Sequence, residues 1–546
     1  MTLSHPALLA LSQPKIDYLS ILPVLVMLGG AVATLAASSL QRRRMDPTMV
    51  TVMAVMTTLA ALSLSLVQWF DVANHGAHVS IDSAVVEDGF SSLVAVLVSC
   101  AALLSALVAD GWMRREKATG PEFQALMLLS GAGAMIMGEA NDLIVIFLGL
   151  EILSIALYVL AAMNARRAES GEAALKYFVL GAFSSAVFLY GIALVYGATG
   201  STNLPQIADY LARNVLLHNG LLLAGMALLL VGFGFKIAAV PFHLWTPDVY
   251  QGSPSPATGF MAAVAKAGGF AALLRVFVSS FGTLRSDWQP AVWVLAAITL
   301  LLGAAVALAQ RDVKRMLAYS SINHAGFVLL GLQVATARGV QGSLYYLFTY
   351  TFMVIGTFAV VTVIGGPGDT RHDLEHYRGL AARRPWLAGS LGVLLMAQAG
   401  IPFTTGFLAK LEVISASVGG RSTALAVIAM VSAAIAAFFY LRVILLMYSP
   451  PRTADAVAVA EAGPGGAPGG APGAGPSPAS AEPQGAVAGK AGTLTVVAEA
   501  SEAEGSSPVS PTTVVAIGVC VAVTVLFGIW PAPVVDFAHQ ATLLFR

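Results

Sequence analysis

Long apolar runs, separated by short polar segments, repeat along almost the whole chain. Fourteen of them reach the length of about 20 residues with which a helix crosses about 30 Å of hydrocarbon. They begin near Ser20, Met49, Ser91, Phe123, Leu143, Ala173, Leu221, Ala257, Ala291, Met316, Gly342, Trp386, Thr423 and Thr512. The pattern predicts an all-α polytopic membrane protein with about 14 transmembrane helices, which we number spans 1 to 14.

The polar segments between the spans alternate in charge. Those after spans 1, 3, 5, 9 and 11 hold fifteen basic residues, namely Arg42, Arg43, Arg44, Arg114, Arg115, Lys117, Arg166, Arg167, Arg311, Lys314, Arg315, Arg371, Arg378, Arg383 and Arg384. The segments on the other side hold four, namely Arg213, Arg285, Arg338 and Arg421. The loop after span 2 has no Lys or Arg but four carboxylates, on Asp71, Asp82, Glu87 and Asp88. Because basic loops stay in the cytoplasm, the pattern predicts that both termini lie outside.

The composition agrees with a membrane protein. Of 546 residues, 57% are hydrophobic and 11% are charged, less than half of the ~25% charged residues of average soluble domains. The 29 basic and 29 acidic residues cancel, so no basic excess indicates nucleic acid. Cys100 and Cys520 lie in apolar runs and provide neither a disulfide framework nor a metal-ligand set. The N-terminal stretch lacks the pattern of a signal peptide and is expected to precede a retained helix.

The predicted spans fall into five regions. Residues 1–120 hold three spans, residues 121–285 and 286–448 hold five spans each, residues 449–511 are rich in Ala, Gly, Pro and Ser, and residues 512–546 hold the final span and a tail. Because five is an odd number, the second set of five starts from the opposite side, which predicts two inverted repeats. Region 449–511 is expected to be a disordered cytoplasmic linker, with a docking segment for a partner as the alternative.

Several ionisable residues lie within the apolar runs, where each charge is costly and indicates a functional site. They are Glu151 in span 5, Glu172 and Lys176 at the start of span 6, Lys236 in span 7, Lys266 in span 8, and Lys410 and Glu412 in span 12. Burial disfavours the ammonium form, so a buried lysine exchanges its proton near neutral pH, whereas arginine stays charged. The series therefore predicts proton transfer, with these residues as its main sites: Glu151, Lys236, Lys266 and Lys410. The alternatives are structural ion pairs and, for Glu172 and Lys176, side chains that reach the membrane interface.

Two spans contain helix breakers close to their lysines. Span 7 runs into Val240-Pro241 after Lys236, and span 12 holds Gly400-Ile401-Pro402 before Lys410. Proline removes a backbone donor and clashes with the preceding turn, so helices 7 and 12 are predicted to be broken. Broken helices in corresponding places of two halves are typical of ion sites near the membrane midplane.

Three further residues are candidates for supporting positions. His243 follows Lys236 by seven residues, a spacing that shares one face of a continuous helix. Tyr319 and His324 lie in span 10. Histidine titrates near neutral pH and serves as a proton shuttle; the alternative is a hydrogen-bonded packing role.

Four segments of the chain resemble a known family. They are residues 147–154 (FLGLEILS), 234–252 (GFKIAAVPFHLWTPDVYQG), 312–324 (DVKRMLAYSSINH) and 399–410 (AGIPFTTGFLAK). In these segments the chain is similar to the antiporter-like membrane subunits of respiratory complex I, the proton-translocating NADH:quinone oxidoreductase. The resemblance covers about spans 4 to 13, and the insert at 449–511 departs from the usual family pattern.

Within that family, the chain is most similar to the N-type subunits, the bacterial counterparts of mitochondrial subunit 2. The segment Asp248-Val-Tyr250-Gln-Gly252 follows the His-Leu-Trp motif, where related subunits usually continue differently. Lys266 stands where the nearest relatives tend to carry His, and Lys410 stands where M-type subunits have Glu. The segment from Glu172 to Tyr177 also suits the N-type.

The resemblance implies roles for individual residues. Glu151 and Lys236 would act as a pair, Lys266 as the central relay and Lys410 as the lysine of the second half-channel. The supporting positions would be Glu172, Lys176, His243, Tyr319 and His324.

The resemblance also implies the surroundings of the chain. It implies a location in the bacterial inner membrane, in contact with the lipid bilayer, the other membrane subunits and the peripheral redox arm. This chain would bind no cofactor or metal, because NADH, FMN, the iron–sulfur clusters and quinone would belong to partner subunits. The sequence has no GxGxxG turn between a strand and a helix and no cysteine cluster.

The residues themselves leave two other hypotheses open. One is a subunit of a multi-subunit Na⁺/H⁺ antiporter, in which the same buried charges would serve cation exchange. The other is a structural membrane subunit whose charges only hold helices together.

Overall fold

The computed structural model describes residues 16–40, 45–118, 120–164, 166–214, 219–450 and 509–541. In chain order, its helices are α1 (Tyr18–Leu40), α2 (Pro47–His75), α3 (Gly89–Glu116), α4 (Glu122–Glu139), α5 (Leu143–Ala161), α6 (Ala168–Thr199), α7 (Leu204–Arg213), α8 (Gly220–Ile237), α9 (Trp245–Gly252), α10 (Ser255–Leu274), α11 (Arg285–Leu308), α12 (Val313–Val334), α13 (Ala337–Ile364), α14 (Leu380–Arg383), α15 (Pro385–Ala399), α16 (Thr405–Gly419), α17 (Thr423–Tyr448), α18 (Pro511–Ile529) and α19 (Ala532–Gln540). The strands β1 (His78–Ser80) and β2 (Val85–Glu87) form an antiparallel hairpin between α2 and α3. The basic residues Arg42, Arg43 and Arg44 and most of the predicted linker 449–511 lie outside the described residues.

Eleven helices of the described part are long and apolar enough to cross a membrane. They are α1, α2, α3, α5, α6, α8, α10 with its π-helical continuation to Ser280, α11 with the turn before it, α13, α17 and α18. The prediction of a multi-pass, mostly helical membrane protein is therefore confirmed. The other three predicted spans fall on α4, on α12, and on the shorter α15 and α16. The count of fourteen crossings stays a prediction.

Both helices that contain breakers end where the sequence predicts. Helix α8 ends at Ile237, and the chain resumes helical geometry at Trp245, past Pro241. Helix α15 ends at Ala399, Gly400 adopts the left-handed conformation with φ of +90°, and α16 begins at Thr405. Glycine takes this conformation without a Cβ penalty, so the position suits a helix C-terminus inside the fold. The two breaks place helix ends in the interior, where their last carbonyl groups need partners other than the next helical turn.

Helix α10 lies at the centre of the fold. It packs against α3, α4, α8 and α13, and each of its residues from Ser255 to Leu274 is buried. Peripheral helices, in contrast, present large apolar side chains outward, such as Phe183 on α6 and Phe438 on α17. An apolar exterior around a tightly packed interior is what contact with lipid requires.

One local backbone arrangement occurs twice. Asp142 begins α5 and accepts a hydrogen bond from the Ile144 amide (2.8 Å), and Asp312 begins α12 and accepts one from the Arg315 amide (2.8 Å). Each pairs in a single antiparallel bridge with a residue 61 positions later, Asn203 and Asp373 respectively. The same arrangement, a capping Asp that pairs with a residue 61 positions later, thus occurs once in the first and once in the second set of five predicted spans.

Candidate functional site

The first buried lysine sits at the broken end of α8. Lys236 is 2% exposed, and its Nζ donates a hydrogen bond to the Ser154 hydroxyl on α5 (2.9 Å). The Nζ atom also lies over the Tyr177 ring, 5.8 Å from its centroid. Aromatic and hydroxyl contacts stabilise a buried ammonium without fixing its charge as a carboxylate would.

Glu151 lies one helical turn before Ser154 on α5. Its carboxylate accepts a hydrogen bond from the Ser185 hydroxyl on α6, and among the described ion pairs none joins it to Lys236 within 4.0 Å. The Ser185 and Lys236 side chains both line a small cavity. Its volume of about 10 Å³ is near the ~10–15 Å³ that accommodates one water molecule. The cavity therefore has room for one water beside the Lys236 side chain.

Lys266 occupies the middle of α10 and is 4% exposed. Its Nζ donates to the backbone carbonyl of Ser321 on α12 and lies 5.7 Å from the centroid of the Tyr350 ring. The Ser321 hydroxyl is hydrogen-bonded to Tyr350 (2.8 Å) and to Tyr250 (3.2 Å). The central lysine is thus surrounded by hydroxyl groups, which both donate and accept protons.

His324 links the centre of the fold to its second half. Its Nδ1 is hydrogen-bonded to the Tyr346 hydroxyl (2.7 Å) and its Nε2 to the Tyr440 hydroxyl (3.1 Å). The Tyr440 hydroxyl is also hydrogen-bonded to Ser320 and donates to the Gln398 side-chain oxygen (3.5 Å). These bonds lead from α12 through α17 to α15.

Lys410 closes this series at the second helix break. Its Nζ donates to the carbonyl oxygens of Gln398 and Ala399 (2.8 Å each), the last two residues of α15. An ammonium at a helix C-terminus interacts favourably with the unpaired carbonyls and the negative end of the helix dipole. A Cβ at Gly400 would lie 2.9 Å from the Lys410 Cδ atom, so glycine there also provides the space for the lysine side chain.

The supporting residues fall into three environments. Lys176 is paired with Glu172 (2.7 Å) and with Asp248 (2.8 Å) beside an open cavity, and it is 43% exposed. His243 is buried, and among the described residues its Nδ1 has no hydrogen-bond partner. The rings of His243 and Tyr319 lie 6.5 Å apart. The described hydrogen bonds therefore include His324 in the group around Tyr440 and Gln398. They include neither His243 nor Tyr319 there.

Comparisons with known proteins decide the family. A family model described as NADH:quinone oxidoreductase/Mrp antiporter, TM, matches residues 140–436. NADH-quinone oxidoreductase subunit N of Trichlorobacter lovleyi is 45% identical over 372 residues, which cover 68% of this chain and 76% of that protein. The chain belongs to the NADH-quinone oxidoreductase subunit N family.

Solved structures of membrane complexes share the fold of this subunit N family member. A chain of respiratory complex I from Thermus thermophilus aligns with a TM-score of 0.72 and 30% identity, over 94% of this chain and 98% of that chain. A chain of the Mrp complex from Dietzia aligns with a TM-score of 0.77 but only 20% identity, over 96% of each. The second likeness shows a shared fold alone.

Several polar residues of this subunit N family member have no clear signal in the sequence. Ser320 lies within the segment 312–324 but has no role assigned by it, Gln398 and Tyr440 lie in mostly apolar runs, and only the fold brings the three residues together near His324. Asp248 bonds both Lys176 and Arg315 (2.6 Å). Its one available signal was its place three residues after the His-Leu-Trp motif.

Lys314 differs from its expected role as a loop charge that only sets orientation. It is completely buried at the start of α12, where its Nζ donates to the Ser253 carbonyl (2.5 Å) and lies 3.4 Å from the Asp369 carboxylate. Asp369 also accepts hydrogen bonds from the Ser255 amide and hydroxyl (2.8 Å each) at the N-terminus of α10. The pair therefore connects α12 to the helix that carries the central lysine.

The Asp369 carboxyl stays ionised at this buried position. Burial alone would raise its pKa, but the charge of Lys314 and the hydrogen bonds from His372 and Ser255 outweigh burial and hold the pKa well below its usual range. The folded protein thus favours the charged form more strongly than the unfolded chain does, and this difference contributes to stability.

We expect Asp369→Asn to lower the free energy of unfolding by about 1–3 kcal/mol, because it weakens hydrogen bonds to a buried amide, hydroxyl and ammonium. The pKa of Asp369 is lower in the folded state, so its contribution is complete above about pH 4 and is lost as the pH falls below that value. Thermal unfolding of the purified chain from pH 7 to pH 3 checks this. A difference between wild type and variant that does not shrink in acid would contradict it.

Proposed function

We propose that this chain is a proton-translocating membrane subunit of NADH:quinone oxidoreductase, which couples electron transfer from NADH to quinone to proton pumping through buried Lys, Glu and His residues. The observation that supports it best is a cluster of buried polar groups: His324 is hydrogen-bonded to Tyr440, Tyr440 donates to the Gln398 side chain, and Lys410 donates to the Gln398 backbone carbonyl. Lys266 and Ser321 lie next to it. Among these groups, lysine, tyrosine, serine and histidine can each release and accept a proton. The names of the relatives favour this function over the Na⁺/H⁺ antiporter.

The two ends of the path differ in how they are connected. On the side of Lys410, hydrogen bonds lead from His324 on α12 through Tyr440 to the Gln398 side chain, and Lys410 on α16 binds the backbone carbonyl of the same residue. On the side of Lys236, the described hydrogen bonds do not extend to Lys266, and the Tyr177 ring stacks on Trp245 (4.5 Å between centroids) in the interior. Water molecules would have to join these two lysines, and transfer between them is the step that a change in hydration controls.

We further propose the inverted-repeat architecture of fourteen crossings. Helices α4 to α10 would form the first unit, and α11 to α17 the second. Packing supports this, because α4 contacts α5 and α10 while α11 contacts α12 and α17. Likewise, α6 contacts α8 and α9 while α13 contacts α15 and α16. The two capped chain crossings at Asp142 and Asp312 provide independent support.

The surroundings belong to the same proposal. The basic residues after the odd-numbered spans support both termini on the outer side of a bacterial inner membrane. Neighbouring membrane subunits and a peripheral redox arm would be the partners, with NADH, FMN, iron–sulfur clusters and quinone bound there. The proposed roles are proton transfer for Glu151, Lys236, Lys266 and Lys410, and support for Glu172, Lys176, His243, Tyr319 and His324.

Replacement of Lys236 tests the proposed function. We expect Lys236→Ala and Lys236→Arg both to lower NADH-driven proton pumping in native membranes at least about tenfold, because a proton relay contributes ~10²–10⁴ to a rate and arginine does not release its proton. Pumping, NADH:quinone activity and recovery of the chain with NADH-oxidising subunits are measured together.

The arginine variant separates the alternatives. If Lys236 only held helices together by its charge, Lys236→Arg would pump normally. The matched control is Lys117→Ala, which removes an exposed lysine at the end of α3 and should leave pumping unchanged. Normal pumping by an assembled Lys236→Ala complex would refute the proposal, and sodium-dependent growth lost on deletion with NADH oxidation intact would favour the antiporter.

A further inference from the structure

The loop between α2 and α3 contains an acidic cluster that proton transfer through the lysines does not explain. Its hairpin pairs β1 with β2, and His78 stands directly opposite Glu87 in the antiparallel register. Directly paired residues project their side chains from the same face of a two-stranded sheet. The hairpin alone therefore brings an imidazole and a carboxylate together, in a loop without Lys or Arg from Asp71 to Asp88.

A third group completes this arrangement from the start of α1. The His78 Nε2 atom lies 3.1 Å from the Asp17 Oδ2 atom and 3.3 Å from the Glu87 Oε2 atom. Asp17 is held in place, because its amide donates to the Ser80 hydroxyl (2.9 Å) and its Oδ1 accepts from the Leu19 amide (3.0 Å). One carboxylate oxygen of Asp17 thus anchors the residue, while the other faces the cluster.

Glu87 supplies an independent indication of a ligand. Its side chain is 2% exposed, yet among the described residues neither of its carboxylate oxygens has a hydrogen-bond partner. The nearby Asp88 does not help, since its carboxylate faces Arg275. A buried carboxylate without hydrogen bonds is costly and calls for a cation. Among the described residues, Glu87 forms an ion pair with His78. The same His78 nitrogen, Nε2, also faces the Asp17 carboxylate, so one nitrogen is shared between two carboxylates.

We propose that Asp17, His78 and Glu87 form a binding site for a divalent transition-metal ion of the Zn²⁺ class. Tetrahedral ligands at Zn–N and Zn–O bond lengths lie about 3.3–3.6 Å apart, close to the two distances around the His78 nitrogen. One ligand atom from each of the three residues lies within 4.8 Å of the other two. The imidazole ligand favours Zn²⁺ over Mg²⁺ and Ca²⁺, which prefer all-oxygen sites.

The position of the site suggests its effect. His78 and Asp17 are 34% and 46% exposed, so an ion reaches the site from the aqueous phase. Three protein ligands leave a fourth position for water. The ion would connect the start of α1 to the hairpin and, through Glu87, to the N-terminus of α3. Two of its ligands come from the hairpin and the third from the start of α1, so no local spacing motif contains all three.

Zn²⁺ binding to the purified full-length chain tests the proposal. We expect one Zn²⁺ per chain after gel filtration, measured by elemental analysis, and a higher thermal unfolding temperature with Zn²⁺. Variants His78→Ala and Glu87→Gln should bind at least about 100-fold more weakly, because loss of an outer-sphere partner alone costs ~10–100-fold. Mg²⁺ or Ca²⁺ in large excess should not displace the ion.

The control is His75→Ala, which removes a neighbouring histidine that pairs with Asp71 (2.9 Å) and is 74% exposed. It should bind Zn²⁺ like wild type. If Glu87→Gln or His78→Ala does not fold, Asp17→Asn provides the same test with a half-exposed residue. Absence of stoichiometric binding in wild type, equal loss in His75→Ala, or full binding by the ligand variants would each overturn the proposal.

Discussion

NADH-driven proton translocation should fall at least about tenfold when Lys266 is replaced by methionine. Lys266 is buried at the centre of α10, with the Ser321 carbonyl and the Tyr350 ring as its contacts. Methionine has a similar length and adapts to irregular space, so the substitution removes the exchangeable proton and leaves little cavity. The central position between the two halves makes a larger effect expected here than at a peripheral lysine.

The experiment compares Lys266→Met with Lys117→Met in the assembled complex in native membranes. Proton uptake per NADH oxidised and NADH:quinone activity are measured side by side, because tight coupling would lower both. Removal of a buried charge should leave the unfolding temperature of Lys266→Met unchanged or raise it. A stable, assembled variant with normal pumping would show that Lys266 is not part of the path.

Much of the fold follows from simple properties of the sequence. The eleven candidate spans are apolar runs of sufficient length, and the two helix breaks occur just before Pro241 and at Gly400. The buried lysines were visible because a charge inside an apolar run is costly. These features depend on one segment at a time, so they need no knowledge of what packs beside it.

The partners of these lysines were not predictable in the same way. Tyr440 lies in an otherwise apolar run and reaches His324 only because α17 packs against α12. Lys314 looked like a loop charge, yet it is completely buried and pairs with Asp369, 55 residues later. In both cases the decisive contact is between distant segments, and hydrophobic periodicity carries no information about such pairs.

Arg275 is the clearest example of a contact between distant segments. It lies 1% exposed at the π-helical end of α10, where Nη1 and Nη2 donate to the two carboxylate oxygens of Asp88 (2.8 and 2.9 Å). Its guanidinium also donates to the Gly138 carbonyl on α4 (2.9 Å) and lies 4.8 Å from the Phe90 ring centroid. One side chain thus joins α3, α4 and α10.

Replacement of Arg275 with methionine should lower the free energy of unfolding by about 3–5 kcal/mol, because it leaves the buried Asp88 carboxylate without the guanidinium that neutralises it. Asp88→Asn should also destabilise, because it leaves the buried Arg275 guanidinium without its carboxylate. Asparagine keeps a side-chain oxygen that accepts from the Ser91 amide (2.8 Å), so the cap of α3 is retained. Thermal or denaturant unfolding of the purified chain measures the change in the free energy of unfolding for each single variant and for the double variant.

The double variant Asp88→Asn with Arg275→Met decides whether the ion pair itself is responsible. With both charges removed, neither member of the pair is left buried without the other, so the double variant should be more stable than the sum of the single effects predicts, by about 0.5–3 kcal/mol. Strictly additive losses would mean that each residue acts through packing and capping alone. In that case the long-range contact between α3 and α10 would depend on the apolar surfaces around Arg275, and the charge would be dispensable for joining the helices.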